Sequence, residues 1–211
     1  MTNIINKQLV NQVIFASVYS VFSIFMLILT RDGLSVWMGI NAGFAMVALM
    51  LVTILKNRQV QTNYNNDVLS ILLLLMFIFF LPNTFYTITD LIHLNSNEFY
   101  HVELYTGTTY RHIIDPYLML SHILFTLLIG IYTGVESLSV FYSVLKKRID
   151  KTGLNYFIMF SIVVLSSVGI FIGRFLRLFS WDVLNPLKVI KMFIESISGF
   201  SIAFIILFIF L

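Results

Sequence analysis

The chain has 211 residues, of which 59% are hydrophobic and only 11% are charged, with a net charge of +3. Soluble domains carry about 25% charged residues, so this composition cannot cover a water-facing surface and predicts an integral membrane protein that needs a lipid bilayer. The absence of cysteine excludes disulfides, thiolate metal sites and cysteine nucleophiles. The small positive charge is typical of the loops of membrane proteins and gives no support for nucleic-acid binding.

Six apolar runs are long enough to cross a bilayer as helices, since a span needs about 20 residues at 1.5 Å each. Only helices or closed barrels satisfy every backbone group at that depth. We therefore predict an all-α, polytopic transmembrane helical bundle that forms a single integral membrane domain over residues 1–211. The first run lacks an A-x-A-like cleavage site and is followed by further spans, so it is interpreted as a span rather than a signal peptide. The six runs cover about residues 9–29, 34–55, 68–86, 116–145, 154–178 and 189–211.

Basic residues near the ends of the spans determine the expected orientation. With the N-terminus inside, seven Lys and Arg residues are cytoplasmic and six are outside. The cluster Lys146, Lys147 and Arg148 lies directly beside a span, where the orienting effect is strongest, so both termini are expected in the cytoplasm. The longest connection, residues 87–115, then lies outside between spans three and four. Such a connection is expected to be a functional loop with its own short helix or a flexible spacer.

Small residues one turn apart on a transmembrane helix allow two helix backbones to approach closely. Glycine pairs with this spacing occur on the second, fourth and fifth spans, and we interpret them as packing contacts within the bundle. A homodimer face would need only one such pair, so the pattern leaves the oligomeric state open. The pairs are Gly39 and Gly43, Gly130 and Gly134, and Gly169 and Gly173.

The fourth span starts with Asp115 and Pro116, an order that suits a helix N-cap followed by the first helical position. His122 and Glu136 follow at nearly whole numbers of turns, so Asp115, His122 and Glu136 are expected on one stripe that faces protein or water. An ionised Glu136 at a helix centre would cost about 2.5–3.5 kcal/mol, so Glu136 is expected near the inner end of the span, protonated or paired. A structural hydrogen bond to a neighbouring helix explains Glu136 equally well.

Asp90 and His93, which follow the third span, are three residues apart, so one helical turn would direct both side chains to the same point. Pro82 breaks the helix before them. The pair could provide two ligands of a metal ion, or a carboxylate that orients a histidine base. It could also be a capped helix with a solvated histidine, which is the more common meaning of this spacing on its own.

All four histidines of the chain lie at or near the outer side: His93, His101, His112 and His122. Without cysteine, the available metal ligands are imidazoles and carboxylates, which suit Zn²⁺, Mn²⁺ or Mg²⁺. A divalent metal is therefore a candidate cofactor, with Asp90, His93 and His112 as candidate ligands. No haem and no nucleotide are expected.

Arg174 and Arg177, at the outer end of the fifth span, place two guanidinium groups on one helix face. Arginine binds carboxylate and phosphate through two parallel hydrogen bonds, so the pair fits a lipid phosphate, an anionic substrate, or the carboxylates Asp90 and Asp182. The alternative is that both side chains extend to the headgroup layer and form internal ion pairs. Trp181 adds an aromatic side chain suited to the membrane interface.

Two stretches carry a family resemblance: PNxxYxxTDLxHL over residues 82–94 and GRFxRxxSWD over residues 173–182. Together they resemble the signature stretches of an uncharacterised bacterial membrane family, domain of unknown function 1361, and the likeness extends over about residues 30–190. The resemblance implies a polytopic protein of the bacterial cytoplasmic membrane. It assigns no reaction.

These patterns support three hypotheses of function. The first is a membrane-embedded enzyme that acts at the outer leaflet on a lipid-linked or anionic envelope substrate through a pocket of Asp, His and Arg side chains. The second, ranked close to it, is a non-catalytic assembly or sensor partner whose polar cluster only locks the bundle. The third, ranked behind both, is a small transporter subunit. For the enzyme, the candidate catalytic residues are Asp90, His93, Asp115 and His122, and the candidate substrate-binding residues are Asn83, Tyr86, Arg174, Arg177, Trp181 and Asp182.

Overall fold

The computed structural model describes residues 2–31, 33–62, 68–94, 99–103, 107–110, 113–178, 182 and 185–211. Helices account for most of these residues, and one short hairpin of two strands lies between the third and fourth apolar runs. The α-helices are α1 (Thr2–Thr30), α2 (Leu34–Thr62), α3 (Val68–Phe80), α4 (Pro82–Tyr86), α5 (Asp115–Arg148), α6 (Thr152–Phe175), α7 (Pro186–Glu195) and α8 (Gly199–Phe210). A 3₁₀ helix (Thr87–His93) follows α4, and strands β1 (Tyr100–Glu103) and β2 (Gly107–Tyr110) precede α5.

Five helical segments of the described chain are long and apolar enough to cross a membrane. They correspond to the first five predicted runs, so the all-α, polytopic transmembrane architecture is confirmed. The helices extend beyond the predicted limits. Hydropathy marks only the apolar part of a helix, and α2 and α5 continue into polar residues on either side of it. The segments are Val10–Thr30, Leu34–Val60, Val68–His93, Asp115–Arg148 and Thr152–Phe175.

The sixth apolar run forms two helices instead of the single straight span expected over residues 189–211. Helices α7 and α8 are bent by 110° at the short break between them. The break has a local cause, because the Ser198 side chain accepts from the Ser201 amide and the Ser201 side chain accepts from the Ser198 amide, at 3.3 and 2.7 Å. This capping box starts a new helix within an apolar sequence. The described part of the chain therefore has five candidate spans, or six if the bent pair of α7 and α8 counts as one span, in agreement with the prediction of about six.

Proline interrupts the third span as the sequence predicts. The Leu81 amide donates to the Phe77 carbonyl at 2.9 Å and closes α3, and Pro82 begins α4. Proline is well suited to a first helical position because its missing N–H would have no partner there. The chain then continues through the 3₁₀ helix, so the candidate residues 83–93 lie on short helical segments.

The connection before α5 contains a β-hairpin that was not anticipated beside the expected short helix. Strands β1 and β2 pair antiparallel, with Tyr100 opposite Tyr110 and their ring centroids 6.4 Å apart. Phe99 also packs edge-on against Tyr117 at 5.4 Å. Tyrosine, threonine and valine favour strands, and their concentration in these two segments explains the hairpin.

Contacts divide the chain into two compact units. The first comprises Met1–Met50 and Asn83–Val135, and the second comprises Leu51–Pro82 and Glu136–Leu211. Helices α2 and α5 contribute to both units, so neither unit is one continuous stretch of sequence. The expectation of a single integral membrane domain stays a prediction.

Each unit has its own apolar packing. In the first unit a cluster joins α1, α2 and α5, and it consists of Tyr19, Ala42, Met46 and Ile129, with Ala16 and Phe22 packed against it. In the second unit Phe77 of α3 lies against Phe141 of α5, with their ring centroids 5.2 Å apart. Gly169 of α6 also meets Pro82 there, since a Cβ on this glycine would lie 2.8 Å from the proline Cγ.

Candidate functional site

The segment that carries Asp90 and His93 rests on two glycines of α5. A Cβ added to Gly130 would overlap the Thr87 hydroxyl and the Thr84 carbonyl oxygen. A Cβ on Gly134 would lie 2.6 Å from Phe85 Cζ. The packing role predicted for this glycine pair is therefore confirmed, and its partner is the signature stretch itself.

Asp90 is buried in the first unit, with 2% of its surface exposed. Its Oδ2 accepts a hydrogen bond from the side-chain amide of Asn41 on α2, with an N–O distance of 3.4 Å. Two neighbouring hydroxyls donate to backbone carbonyls of the same segment. The Thr87 hydroxyl donates to the Thr84 carbonyl at 2.9 Å, and the Thr89 hydroxyl donates to the Tyr86 carbonyl at 2.6 Å. The carboxyl is thus held on a segment whose own polar groups are bonded internally.

His93 ends the same 3₁₀ helix, and its side chain is exposed. In a 3₁₀ helix the side chains at positions i and i+3 lie above one another, so Asp90 and His93 project from the same side of the helix. Asn83 and Tyr86, the predicted substrate-binding residues of this stretch, are half-buried. One short segment therefore presents a buried carboxyl and an accessible imidazole.

Asp115 is exposed at the start of α5, but it is not the residue that caps the helix. The Ile114 carbonyl accepts from the amides of Tyr117 and Leu118 at 3.1 and 3.0 Å, so the first turn closes on Ile114. The N-cap prediction is therefore wrong by one residue, because Pro116 fits the second helical position as well as the first when neither amide would be bonded.

His122 lies inside the first unit, with no exposed surface. Its Nε2 is 3.3 Å from the Ser23 hydroxyl of α1, and its ring packs edge-on against Phe22 at 5.4 Å. The Tyr19 hydroxyl shares a hydrogen bond with Thr126 one turn further along α5. His122 Nδ1 has no hydrogen-bond partner among the described residues. Of the predicted stripe, His122 is thus buried, whereas Asp115 is exposed and Glu136 is half-buried.

The predicted anion-binding residues belong to the second unit. Arg174 is half-buried in the last turn of α6, and Arg177 is exposed two residues after the helix ends. The backbone of Arg177 has a φ of 52°, a left-handed conformation that costs a non-glycine residue about 1–2 kcal/mol. Asp182 forms a salt bridge of 2.8 Å with Lys188. Trp181 lies outside the described residues.

A comparison with family models supports the resemblance found in the sequence. A model described as "Protein of unknown function (DUF1361)" matches residues 40–211. The chain belongs to this family. Both signature stretches, residues 82–94 and 173–182, fall within the matched range, and the family description names no activity. No curated protein and no solved structure matches the chain.

Metal binding remains a prediction for this family member. Among the residues that the structure describes, no three His, Asp or Glu side chains group closely enough to hold a metal ion. The candidate set of Asp90, His93 and His112 therefore depends on His112, which lies outside the described residues. The pocket expected to join Asp90 and His93 with Arg174 and Arg177 also stays a prediction.

Sequence reasoning missed the polar residues on α1 and α2 that contact the candidate side chains. Asn41 bonds Asp90, and Ser23 bonds His122. Both had a signal in the sequence: each is a polar residue within an apolar span, and Asn41 stands between the paired Gly39 and Gly43. Polar residues at membrane depth usually face the bundle interior.

Proposed function

We propose that this chain is a membrane-embedded enzyme of the bacterial cytoplasmic membrane that acts at the outer leaflet on a lipid-linked or anionic envelope substrate. The observation that carries the proposal is that a buried Asp90 and an exposed His93 lie three residues apart on one 3₁₀ helix. An ionisable residue at membrane depth is costly and usually functional. The accessible imidazole beside it is suited to exchange protons with a substrate.

In the proposed chemistry His93 is the catalytic acid or base, because its side chain is exposed to an approaching substrate. Asp90 is the positioning residue that stabilises the protonated imidazole, as the carboxylate does in other carboxylate–histidine pairs. Asn41 holds that carboxyl in place through its side-chain amide. Asp115, which is exposed, and His122, which is buried, keep the supporting roles that the sequence predicts.

Rigidity of the segment supports a catalytic role. Catalytic groups must be held close to their working geometry by packing and hydrogen bonds around them. Residues 84–87 rest directly on Gly130 and Gly134, and the hydroxyls of Thr87 and Thr89 bond to the backbone of the same segment. The part of the segment that precedes Asp90 and His93 is therefore held firmly against α5.

Arg174 and Arg177 are proposed to bind the negative group of the substrate. Guanidinium groups recognise phosphate and carboxylate through paired hydrogen bonds, which a flexible lysine does less well. Asp182 is already paired with Lys188, so that carboxylate is not the primary partner proposed for the arginines. Arg177 is exposed and is the better placed of the two to meet a ligand from the bilayer surface.

The test compares envelope composition in cells that lack the protein and produce either the wild type or a variant. Lipids and envelope glycans are profiled by mass spectrometry, and protein abundance is measured in the same membranes. The His93→Ala and Asp90→Asn proteins should remain abundant. Cells that produce either variant should have the same envelope profile as cells that lack the protein. The matched control is Ile92→Ala, an exposed neighbour on the same helix that should restore the wild-type profile. A wild-type profile with abundant His93→Ala protein would contradict the proposal.

A non-catalytic assembly or sensor partner is the second candidate, favoured by the burial of Asp90 against Asn41. In that case the polar contact locks the fold and does no chemistry. Asp90→Asn keeps the size and much of the hydrogen bonding of the side chain, so it should preserve both abundance and envelope profile. Asp90→Ala should instead lower abundance. If the Asp90→Asn protein is abundant but does not restore the wild-type envelope profile, the result supports the enzyme and not the assembly partner.

A further inference from the structure

Helix α7 has its charged and apolar side chains on separate faces. With about 100° between successive residues, Lys188, Lys191 and Glu195 fall within an arc of about 60°. Leu187, Ile190 and Ile194 form an adjoining apolar face, and these three side chains are 79, 54 and 60% exposed. This exposed apolar face needs an apolar environment beside a charged one.

The remaining apolar side of α7 faces the protein. Phe193 packs edge-on against Phe171 of α6, with ring centroids 6.3 Å apart. Val189 and Met192 are half-buried. Helix α7 is thus attached to α6 through one part of its apolar surface, while Leu187, Ile190 and Ile194 are left outside that contact.

The neighbouring helices fix the direction of α7. Phe204 of α8 packs against Phe171 of α6 at 6.0 Å, and Phe200 packs against Phe175 at 5.1 Å, so α8 runs antiparallel to α6. Because α6 is a candidate membrane span, α8 is expected to run along the membrane normal beside it. The bend of 110° between α7 and α8 then directs α7 across the direction of α6, as expected for a helix near the plane of the membrane.

Both ends of α7 are fixed by local hydrogen bonds. The Asn185 side chain accepts from the Lys188 amide at 3.3 Å, and Pro186 occupies the first turn. At the other end the Ser198 capping box starts α8 in its new direction. With 10 residues, α7 is about 15 Å long, half of the roughly 30 Å needed to cross the hydrocarbon core.

We propose that α7 is an interfacial helix that binds the phospholipids of the leaflet at the C-terminal end of α6. Leu187, Ile190 and Ile194 enter the boundary of the acyl chains, and Lys191 contacts lipid phosphate. Lys188 already forms a 2.8 Å salt bridge with Asp182, which holds the start of the helix in the headgroup layer. Lys191 lies 3.9 Å from Glu195 in a highly exposed pair, and exposed pairs of this kind contribute only about 0–1 kcal/mol. Phosphate can therefore compete for Lys191.

This inference is independent of the proposed enzyme, because it concerns only the second unit and how the chain meets the bilayer. It also assigns α7, the first part of the last apolar run, a role at the membrane surface. The partner is a phospholipid leaflet, and docking of a second protein on the same apolar face is an outcome that the test distinguishes.

The 211 residues include no cysteine, so single cysteines can be introduced and labelled with a nitroxide. Variants Ile190→Cys, Ile194→Cys, Lys191→Cys and Glu195→Cys are reconstituted in vesicles of phosphatidylcholine and phosphatidylglycerol. The depth control is Leu165→Cys, on an exposed position of the spanning helix α6. Collisions with oxygen report lipid contact, and collisions with a water-soluble nickel chelate report exposure to water.

Labels at positions 190 and 194 should collide more often with oxygen than with the nickel chelate, but at a shallower depth than the control label. Labels at 191 and 195 should collide more often with the nickel chelate. Shielding of 190 and 194 from both reagents would indicate a protein partner and overturn the proposal. So would a water-exposed label at all four positions, or a label at 190 as deep as the control.

The phosphate contact is tested by reversing the charge of Lys191 in the Ile194→Cys background. Lys191→Arg should leave the label in lipid, and Lys191→Glu should raise its nickel accessibility several-fold in vesicles that contain phosphatidylglycerol. Equal accessibility in both variants would overturn the assignment of Lys191 to lipid phosphate. Circular dichroism and gel filtration establish that both variants are folded.

Discussion

Thr87 occupies the space into which a side chain on Gly130 would project. The same glycine also faces the Thr84 carbonyl oxygen, which belongs to the backbone and cannot rotate away. The signature stretch of the family can therefore pack closely against α5 because Gly130 has no side chain. A bond from the Thr87 hydroxyl to the Thr84 carbonyl then holds the seated segment in shape.

Gly130→Ala should destabilise the protein by about 1–3 kcal/mol, the usual cost of adding volume to a packed interior. Gly43→Ala is the matched control, because a Cβ there meets nothing within 4 Å and alanine is the better helix former. Thermal unfolding in detergent should show a lower midpoint for Gly130→Ala and an equal or higher one for Gly43→Ala. Equal midpoints for Gly130→Ala and the wild type would contradict the close approach.

The contact between Asn41 and Asp90 predicts that two substitutions of Asn41 will destabilise the protein to different extents. Asn41→Ala removes one hydrogen bond from a buried carboxyl and should cost about 1–3 kcal/mol. Asn41→Asp places a second carboxyl beside Asp90 at a site with little water, so it should destabilise more than alanine near neutral pH. Unfolding midpoints of the two variants check the order. The reverse order would mean that Asn41 does not face the carboxylate.

Ser23 should matter more to stability than Ser17 on the same helix. Ser23 is buried and its hydroxyl meets His122 Nε2 across to α5, whereas Ser17 is exposed and bonds to Val13 within α1. Removing the Ser23 hydroxyl leaves a buried imidazole nitrogen without its partner, a loss of about 1–3 kcal/mol. Chemical unfolding of Ser23→Ala and Ser17→Ala should separate them. A wild-type curve for Ser23→Ala would exclude this contact as a stabilising one.

The spanning helices could be predicted because they depend on local composition. A run of about 20 apolar residues has few alternatives to a helix in a bilayer, and five such runs appear as expected. The break within the sixth run was not predicted, because averaged hydropathy treats Ser196 and Ser198 as minor interruptions. The hydrogen bonds of Ser198 with Ser201 depend on position, and they turn the chain.

The local spacing of the candidate site residues could be predicted, but their contacts with other helices could not. The spacing of Asp90 and His93 placed both on one helical turn, as they are found. The burial of His122 and the contact of Asn41 with Asp90 depend on which helices pack together, and one sequence carries no such information. Gly130 and Gly134 indicated close packing, but the partner of a small residue cannot be read from its spacing.

Gly169 and Pro82 should show energetic coupling in the second unit. A Cβ on Gly169 would lie 2.8 Å from the Pro82 Cγ and 3.1 Å from its Cβ. Gly169→Ala should therefore destabilise, and Pro82→Ala in the same chain should recover part of the loss by removing the ring atom. A double-mutant cycle of unfolding free energies measures the coupling, expected at about 0.5–3 kcal/mol for residues in contact. Additive effects would show that the two side chains do not compete for space.

The direction of α8 should depend on a single hydroxyl. Ser198→Ala removes the acceptor for the Ser201 amide and should cost about 1 kcal/mol, whereas Ser198→Gly should cost only a few tenths, because glycine is tolerated at an N-cap. Hydrogen exchange measures this locally: amides at the start of α8 should exchange faster in Ser198→Ala, with α6 unchanged. The control Ser161→Ala removes an exposed hydroxyl that bonds within α6 and should leave α8 protected. Unchanged exchange in Ser198→Ala would mean that the bend is set by packing of the phenylalanines on α6, and the cap would then follow from the bend.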